Sequence, residues 1–130
     1  MSAEWKSLAR SVGYTVSQGD SVTVQLDGGS SQTLYCEARD EENVLRVWSV
    51  IARQKTVNEV SRDESPLRYA WERNRLSDLV GFTIDTRGRL IGETWVPFEG
   101  LTTDELGFSL KELARVCDWH EFRLAGEDVY

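Results

Sequence analysis

The sequence predicts an α+β fold, a five-stranded antiparallel sheet packed by helices in the order α-β-β-β-α-β-β-α. Three observations predict it. Between residue 21 and about residue 55, three β-like runs follow one another across short polar turns, the pattern of an antiparallel meander. A second pair of runs, Leu79 to Asp85 and Arg89 to Pro97, meets at Gly88. Apolar residues recur at helical spacing near both ends of the chain.

In the first helix Trp5, Leu8, Ala9 and Val12 recur at i, i+3, i+4 and i+7, with Ser2 as N-cap and Gly13 placed to end it. After a polar link, Ser21 to Asp27 alternates, with Val22, Val24 and Leu26 on one face and Thr23 and Gln25 on the other. Asp27-Gly28-Gly29-Ser30 is a turn, and Gln32 to Arg39 alternates again with Leu34, Cys36 and Ala38 together. Asp40-Glu41-Glu42-Asn43 turns the chain into a long strand from Val44 to about Lys55. Ser65-Pro66 opens a middle helix as N-cap and N1 proline. Its stripe is Leu67, Ala70 and Trp71, and it ends near Leu76 to Asp78.

In the hairpin that follows, Val80, Phe82 and Ile84 point inward, and Gly88 suits the left-handed position of a type I turn with a G1 bulge. The last helix starts at the capping box Thr102-Thr103-Asp104-Glu105. Leu106, Leu110, Leu113 and Cys117 follow on one stripe, which Phe108, Ala114 and Val116 widen. No repeat, low-complexity tract or linker interrupts residues 1–130, which read as a single domain.

Size and charge narrow the function. A chain of 130 residues buries roughly two-thirds of its unfolded surface and can hold a core without disulfide staples. The net charge of −7 argues against nucleic acid, because phosphate neutralisation needs a basic stripe. Arg68, Arg73 and Arg75 do cluster, but Glu72 sits among them and Asp78 follows, as on a solvated helix face. The start, Met1 to Lys6, has no apolar run and no window approaches a membrane span, so a cytoplasmic protein is expected. Cys36 and Cys117 each fall on an apolar face and are expected to be reduced, buried thiols.

The element order, together with Gly88-Arg89-Leu90-Ile91-Gly92-Glu93-Thr94-Trp95-Val96-Pro97 and the short loop into Thr102-Thr103-Asp104-Glu105-Leu106, resembles the secretion-chaperone-like fold. That fold includes the type III secretion chaperones and the YbjN family of bacterial proteins. The resemblance spans nearly the whole chain and rests on apolar and turn patterns. It implies a domain without enzyme activity that acts by binding protein segments, commonly as a dimer.

The sequence has no phosphate loop, no dinucleotide glycine fingerprint and no paired metal-binding histidines, and no cofactor is expected. His120 is the single histidine; Cys117 lies three residues before it but continues the buried stripe, where a thiolate is disfavoured. Asp40 to Asn43 lacks the glycine and distal glutamate of a calcium loop and reads as a hairpin turn. Glu93, mid-strand between Ile91 and Trp95, reads as solvent-facing rather than as a general base.

The strands carry the stronger signal. From Val44 to Ala52 both faces are apolar, with Leu45, Val47 and Ile51 on one and Val44, Trp48, Val50 and Ala52 on the other. The last strand repeats this with Leu90 and Val96 against Ile91 and Trp95, and Tyr35 joins the second face. A strand apolar on both sides is normally covered on both sides. If the first and last helices share one side, the narrow middle helix covers the other alone. Trp48, Val50, Trp71, Ile91 and Trp95 are therefore expected to form an incompletely covered patch. An external protein partner, a second copy and a closed core are its three possible fates. A different class of reading places a small-molecule or catalytic pocket between helix and sheet, with Arg46, Glu93 and Trp95 at its mouth.

Overall fold

A computed structural model of the chain describes residues 4–52 and 80–129, with side chains to residue 122. Helix α1 (Glu4–Val12) buries Trp5 and Ala9 and stops at Gly13, whose φ of 102° only glycine adopts readily. The Gly13 amide donates to the Arg10 carbonyl and the Tyr14 amide to that of Ala9, a Schellman ending. The strands are β1 (Thr15–Val16), β2 (Ser21–Gln25), β3 (Ser31–Arg39), β4 (Val44–Ala52), β5 (Gly81–Ile84) and β6 (Leu90–Pro97). Helix α2 (Thr103–Val129) closes the described chain. The Glu105 amide donates to Thr102 Oγ1, the N-cap bond expected of that sequence.

The fold is α+β with an antiparallel sheet, in the order β1-β2-β3-β4-β6-β5. It has six strands where five were expected. The addition is β1, which pairs Thr15 with Thr23 and Val16 with Val22. Two residues are too short to show a period, so the segment read as a link. The middle helix predicted from Ser65 to Asp78, with Trp71, lies outside the described residues, and two helices are found among those described.

Both helices pack on the same side of the sheet. Leu106, Leu110, Leu113 and Cys117 are fully buried, and α2 lies across β2, β3, β4 and β6 while α1 packs on α2. They meet one face of each strand: Val22 and Val24, Leu34 and Cys36, Leu45, Val47 and Ile51, Phe82 and Val96. The helices approach closely at Gly107, where a Cβ would come 3.0 Å from Val12, and Tyr14 donates its hydroxyl to the Gly107 carbonyl at 2.9 Å. Ala52, expected on the opposite face, joins this core. The register shifts between Val50 and Ala52, and the extra residue turns Ala52 inward opposite Leu90.

One expectation about α2 is corrected. Phe108 was expected to widen the core stripe; it is 60% exposed. At 100° per residue, position 108 lies about 200° round the helix from Leu106 and so faces away from the sheet.

Candidate functional site

The sheet face away from the helices brings together the residues of the expected patch that the structure describes. Alternation points Tyr35, Glu37 and Arg39 of β3, Arg46, Trp48 and Val50 of β4, and Ile91, Glu93 and Trp95 of β6 to this side. Register sets the neighbours. Tyr35 lies opposite Trp48, Glu37 opposite Arg46, Arg46 opposite Trp95, Trp48 opposite Glu93 and Val50 opposite Ile91.

Aromatic rings and guanidinium groups interleave across these strands. The Tyr35 and Trp48 ring centroids are 5.8 Å apart. Arg46 lies over the Trp48 ring at 4.6 Å and 5.9 Å from that of Trp95, while Arg39 lies 5.3 Å from Trp95. Such contacts are each worth about 0.5–1 kcal/mol where exposed. Arg46 donates from Nε to Glu93 Oε2 at 2.9 Å, and Arg39 donates to Glu37 at 2.8 Å and to Glu42 at 3.4 Å. Every cation in the row thus has a carboxylate. The face is aromatic, and its charges are matched.

Its parts differ in exposure. Trp95 is 43% exposed and Tyr35 40%, while Trp48 and Val50 are half-buried. Ile91 departs from the expected open patch, being only 2% exposed. It belongs to β6, which has β4 on one side and β5 on the other, with Val50 and Thr83 as its register partners. Trp71 lies outside the described residues. Arg39 was not singled out in the sequence, although its alternation with Tyr35 and Glu37 was a legible signal. The register that sets it beside Trp95 was not.

Where the β3–β4 ladder ends, beyond the Tyr35–Trp48 pair, side chains bridge the two strands. Buried Gln32 donates to Ser49 Oγ at 2.7 Å, and Ser49 donates to the Thr33 carbonyl at 2.8 Å. These groups line a cavity of about 310 Å³ together with Ser31, Tyr35, Val50, Ile51 and Glu121. Arg46, Glu93 and Trp95 are not among its lining residues. Arg46 pairs with Glu93 and contacts the Trp95 ring.

The candidate nucleophile sits in surroundings that suppress it. Burial, with the Glu121 charge adding to it, pushes the Cys117 thiol up to about 12. Cys36, also free and buried, is pushed up to about 12 by burial and the Asp20 charge. Cys117 packs under the sheet at Gly92, where a Cβ would come 2.6 Å from its sulfur. His120 is buried edge-on between the Phe82 and Trp119 rings, at centroid distances of 5.1 and 4.7 Å. Among the described residues, no cluster of three or more His, Cys, Asp or Glu could hold a metal ion. None of the described helices is long and apolar enough to cross a membrane.

No known protein family and no curated protein matches the sequence. Solved structures do match its fold. A chain of the ExsC–ExsE complex superposes with a TM-score of 0.61 at 16% identity, covering 96% of this chain and 94% of its own. A chain of the HopA1–SchA chaperone–effector complex gives 0.52 at 16% identity, over 88% and 84%. With the sheet built as described and both helices on one side of it, the chain has the secretion-chaperone-like fold.

Proposed function

We propose that the domain is a non-enzymatic, chaperone-like protein-binding module, cytoplasmic and homodimeric, that holds a segment of a partner protein on the open face of its sheet. The observation that carries this reading is the aromatic–guanidinium row from Tyr35 to Trp95, with its two outer rings exposed. Tryptophan and tyrosine supply large rigid contact area and dominate interface hot spots. An extended or amphipathic segment fits such a face, adding backbone pairing wherever it reaches a sheet edge. The net charge of −7 guides basic segments toward it. The fold neighbours support the same style of use, since their complexes pair a chaperone with an effector or two Exs proteins. The suppressed thiols and the self-neutralised Arg46–Glu93 pair weigh against the catalytic alternative.

The test compares wild type with Trp95→Asp and Trp48→Asp by affinity capture from the native host, light-scattering mass and thermal melting. Capture of a specific protein by wild type, lost in Trp95→Asp at an unchanged melting temperature, supports the reading. Unfolding of both variants would make these residues core. A strictly monomeric wild type without a protein partner would sink the proposal.

A further inference from the structure

Beyond the Tyr35–Trp48 pair, residues 31–34 of β3 and 49–52 of β4 run on without pairing to each other, and the cavity of about 310 Å³ lies where they part. Its lining comes from both sides of the sheet. Thr33, Tyr35 and Val50 belong to the aromatic face, and Gln32, Ser49 and Ile51 to the helix side. Glu121 of α2 adds a carboxylate. A buried chain of hydrogen bonds fixes which atoms are left over. Ser49 donates its one proton to the Thr33 carbonyl, so it accepts from Gln32, which turns the Gln32 amide nitrogen toward Ser49. Gln32 Oε1 then has no hydrogen-bond partner among the described residues, although Gln32 is only 6% exposed. Buried polar atoms are nearly always satisfied, so this oxygen calls for a donor from outside the domain.

We propose that this slot receives the side chain of a lysine or arginine of the held segment and anchors that segment beside the aromatic row. The inference rests on the proposed function and names the chemistry of what is held. Glu121 is the single charged group in the lining, and no Lys or Arg among the described residues pairs with it. On the neighbouring aromatic face, by contrast, Arg39 and Arg46 already meet Glu37, Glu42 and Glu93. The Gln32 oxygen and the Ser31 and Thr33 hydroxyls offer further acceptors to an ammonium or guanidinium, which can only donate. The volume sits at the small end of ligand pockets, about 300–1,000 Å³, and suits one long side chain rather than a whole ligand. Tyr35 and Val50 line both the slot and the aromatic face, so the stem of an entering lysine or arginine lies against apolar surface while its head meets the acceptors. The net charge of −7 favours the approach of a basic segment.

The test selects a phage library of random dodecapeptides on the full wild-type chain and titrates the recovered peptides by fluorescence anisotropy. Lysine or arginine is expected at one fixed spacing from an aromatic or apolar residue. Replacing it with norleucine, which keeps the stem and drops the charge, is expected to weaken binding about tenfold. Glu121→Gln, with far-UV melting as the control for folding, is expected to weaken the basic peptide about as much and to bind the norleucine peptide as wild type does. Trp95→Asp should instead weaken both peptides alike. Recovered peptides without a fixed basic position overturn the slot, and so does a selection that recovers nothing. A basic residue whose replacement matters equally to wild type and to Glu121→Gln overturns it as well. In each of these cases, capture of a specific protein from the native host, lost in Trp95→Asp, would leave the proposed function standing, so the two readings fail separately.

Discussion

Arg46 sits over the Trp48 ring at 4.6 Å and directs both Nε and Nη2 to one oxygen of Glu93, the residue opposite Trp48 in register, at 2.9 Å each. Three side chains from two strands thereby hold one another in place. Both charged side chains are about one-fifth exposed, so the pair sits between the weak surface limit and the costly buried one. Glu93→Ala and Arg46→Ala are each expected to destabilise the fold by about 1–2 kcal/mol. Denaturant titration of both and of the double variant should show coupling of about 1 kcal/mol. Additive losses would mean that the contact contributes nothing as a pair.

Gly92 and Cys117 form a tight crossing of β6 and α2. A methyl group on Gly92 would stand 2.6 Å from the Cys117 sulfur, inside contact distance. Gly92→Ala is expected to cost about 1–3 kcal/mol through overpacking. Adding Cys117→Ala removes the obstructing sulfur. The double variant should therefore be more stable than Gly92→Ala alone, as read by melting temperature. Equal or lower stability would show that the strand, not the thiol, sets the limit.

The thiols give the fold an alkaline weakness. Both Cys36 and Cys117 are pushed up to about 12 by burial, whereas an unfolded thiol ionises near pH 8.5. Between these values the unfolded chain releases thiol protons that the folded chain keeps. The contribution is whole below about pH 8.5 and is lost as pH rises toward about 12. Urea midpoints should fall more steeply over pH 8.5–10 in wild type than in a Cys36→Ala, Cys117→Ala variant. Native labelling with a thiol reagent at neutral pH should be slow at both sites, and rapid labelling of Cys117 would contradict the burial argument.

Asp85 works in the opposite direction. Burial pushes its carboxyl up, but hydrogen bonds from the Arg89 and Arg87 amides and the Arg89 guanidinium outweigh that and hold it below the usual carboxylate range. A lowered folded pKa contributes stability above the unfolded value of about 4, lost as pH falls through the folded one. Asp85→Asn is expected to cost about 1 kcal/mol at neutral pH and to flatten the acid side of the stability profile. An unchanged profile would show that the β5–β6 turn holds without the carboxylate.

Much of the fold was legible from residue type and spacing alone. Val22-x-Val24 and Leu34-x-Cys36 mark core faces because a strand repeats every two residues, and Leu106, Leu110, Leu113 and Cys117 do the same at helical period. Gly13 and Gly88 mark turns because their φ values of 102° and 75° suit glycine. β1 was not legible because two residues carry no period, and the inward turn of Ala52 was not because it depends on a bulge. The membership of the aromatic row was mostly visible in the doubled faces of β4 and β6. That Arg46 sits between Trp48 and Trp95 was not.

The sequence by itself therefore determined the longer of the described elements, most of their inward faces and their order, since these follow from local period and turn chemistry. Only the tertiary structure decided which residues become neighbours, through antiparallel register and through the shared side of the two helices. Register joins residues 47 positions apart, as with Arg46 and Glu93, and no local pattern encodes such a distance. With both helices on one side, the aromatic face is left to the other side of the sheet, and the outer face of α2 is turned to solvent.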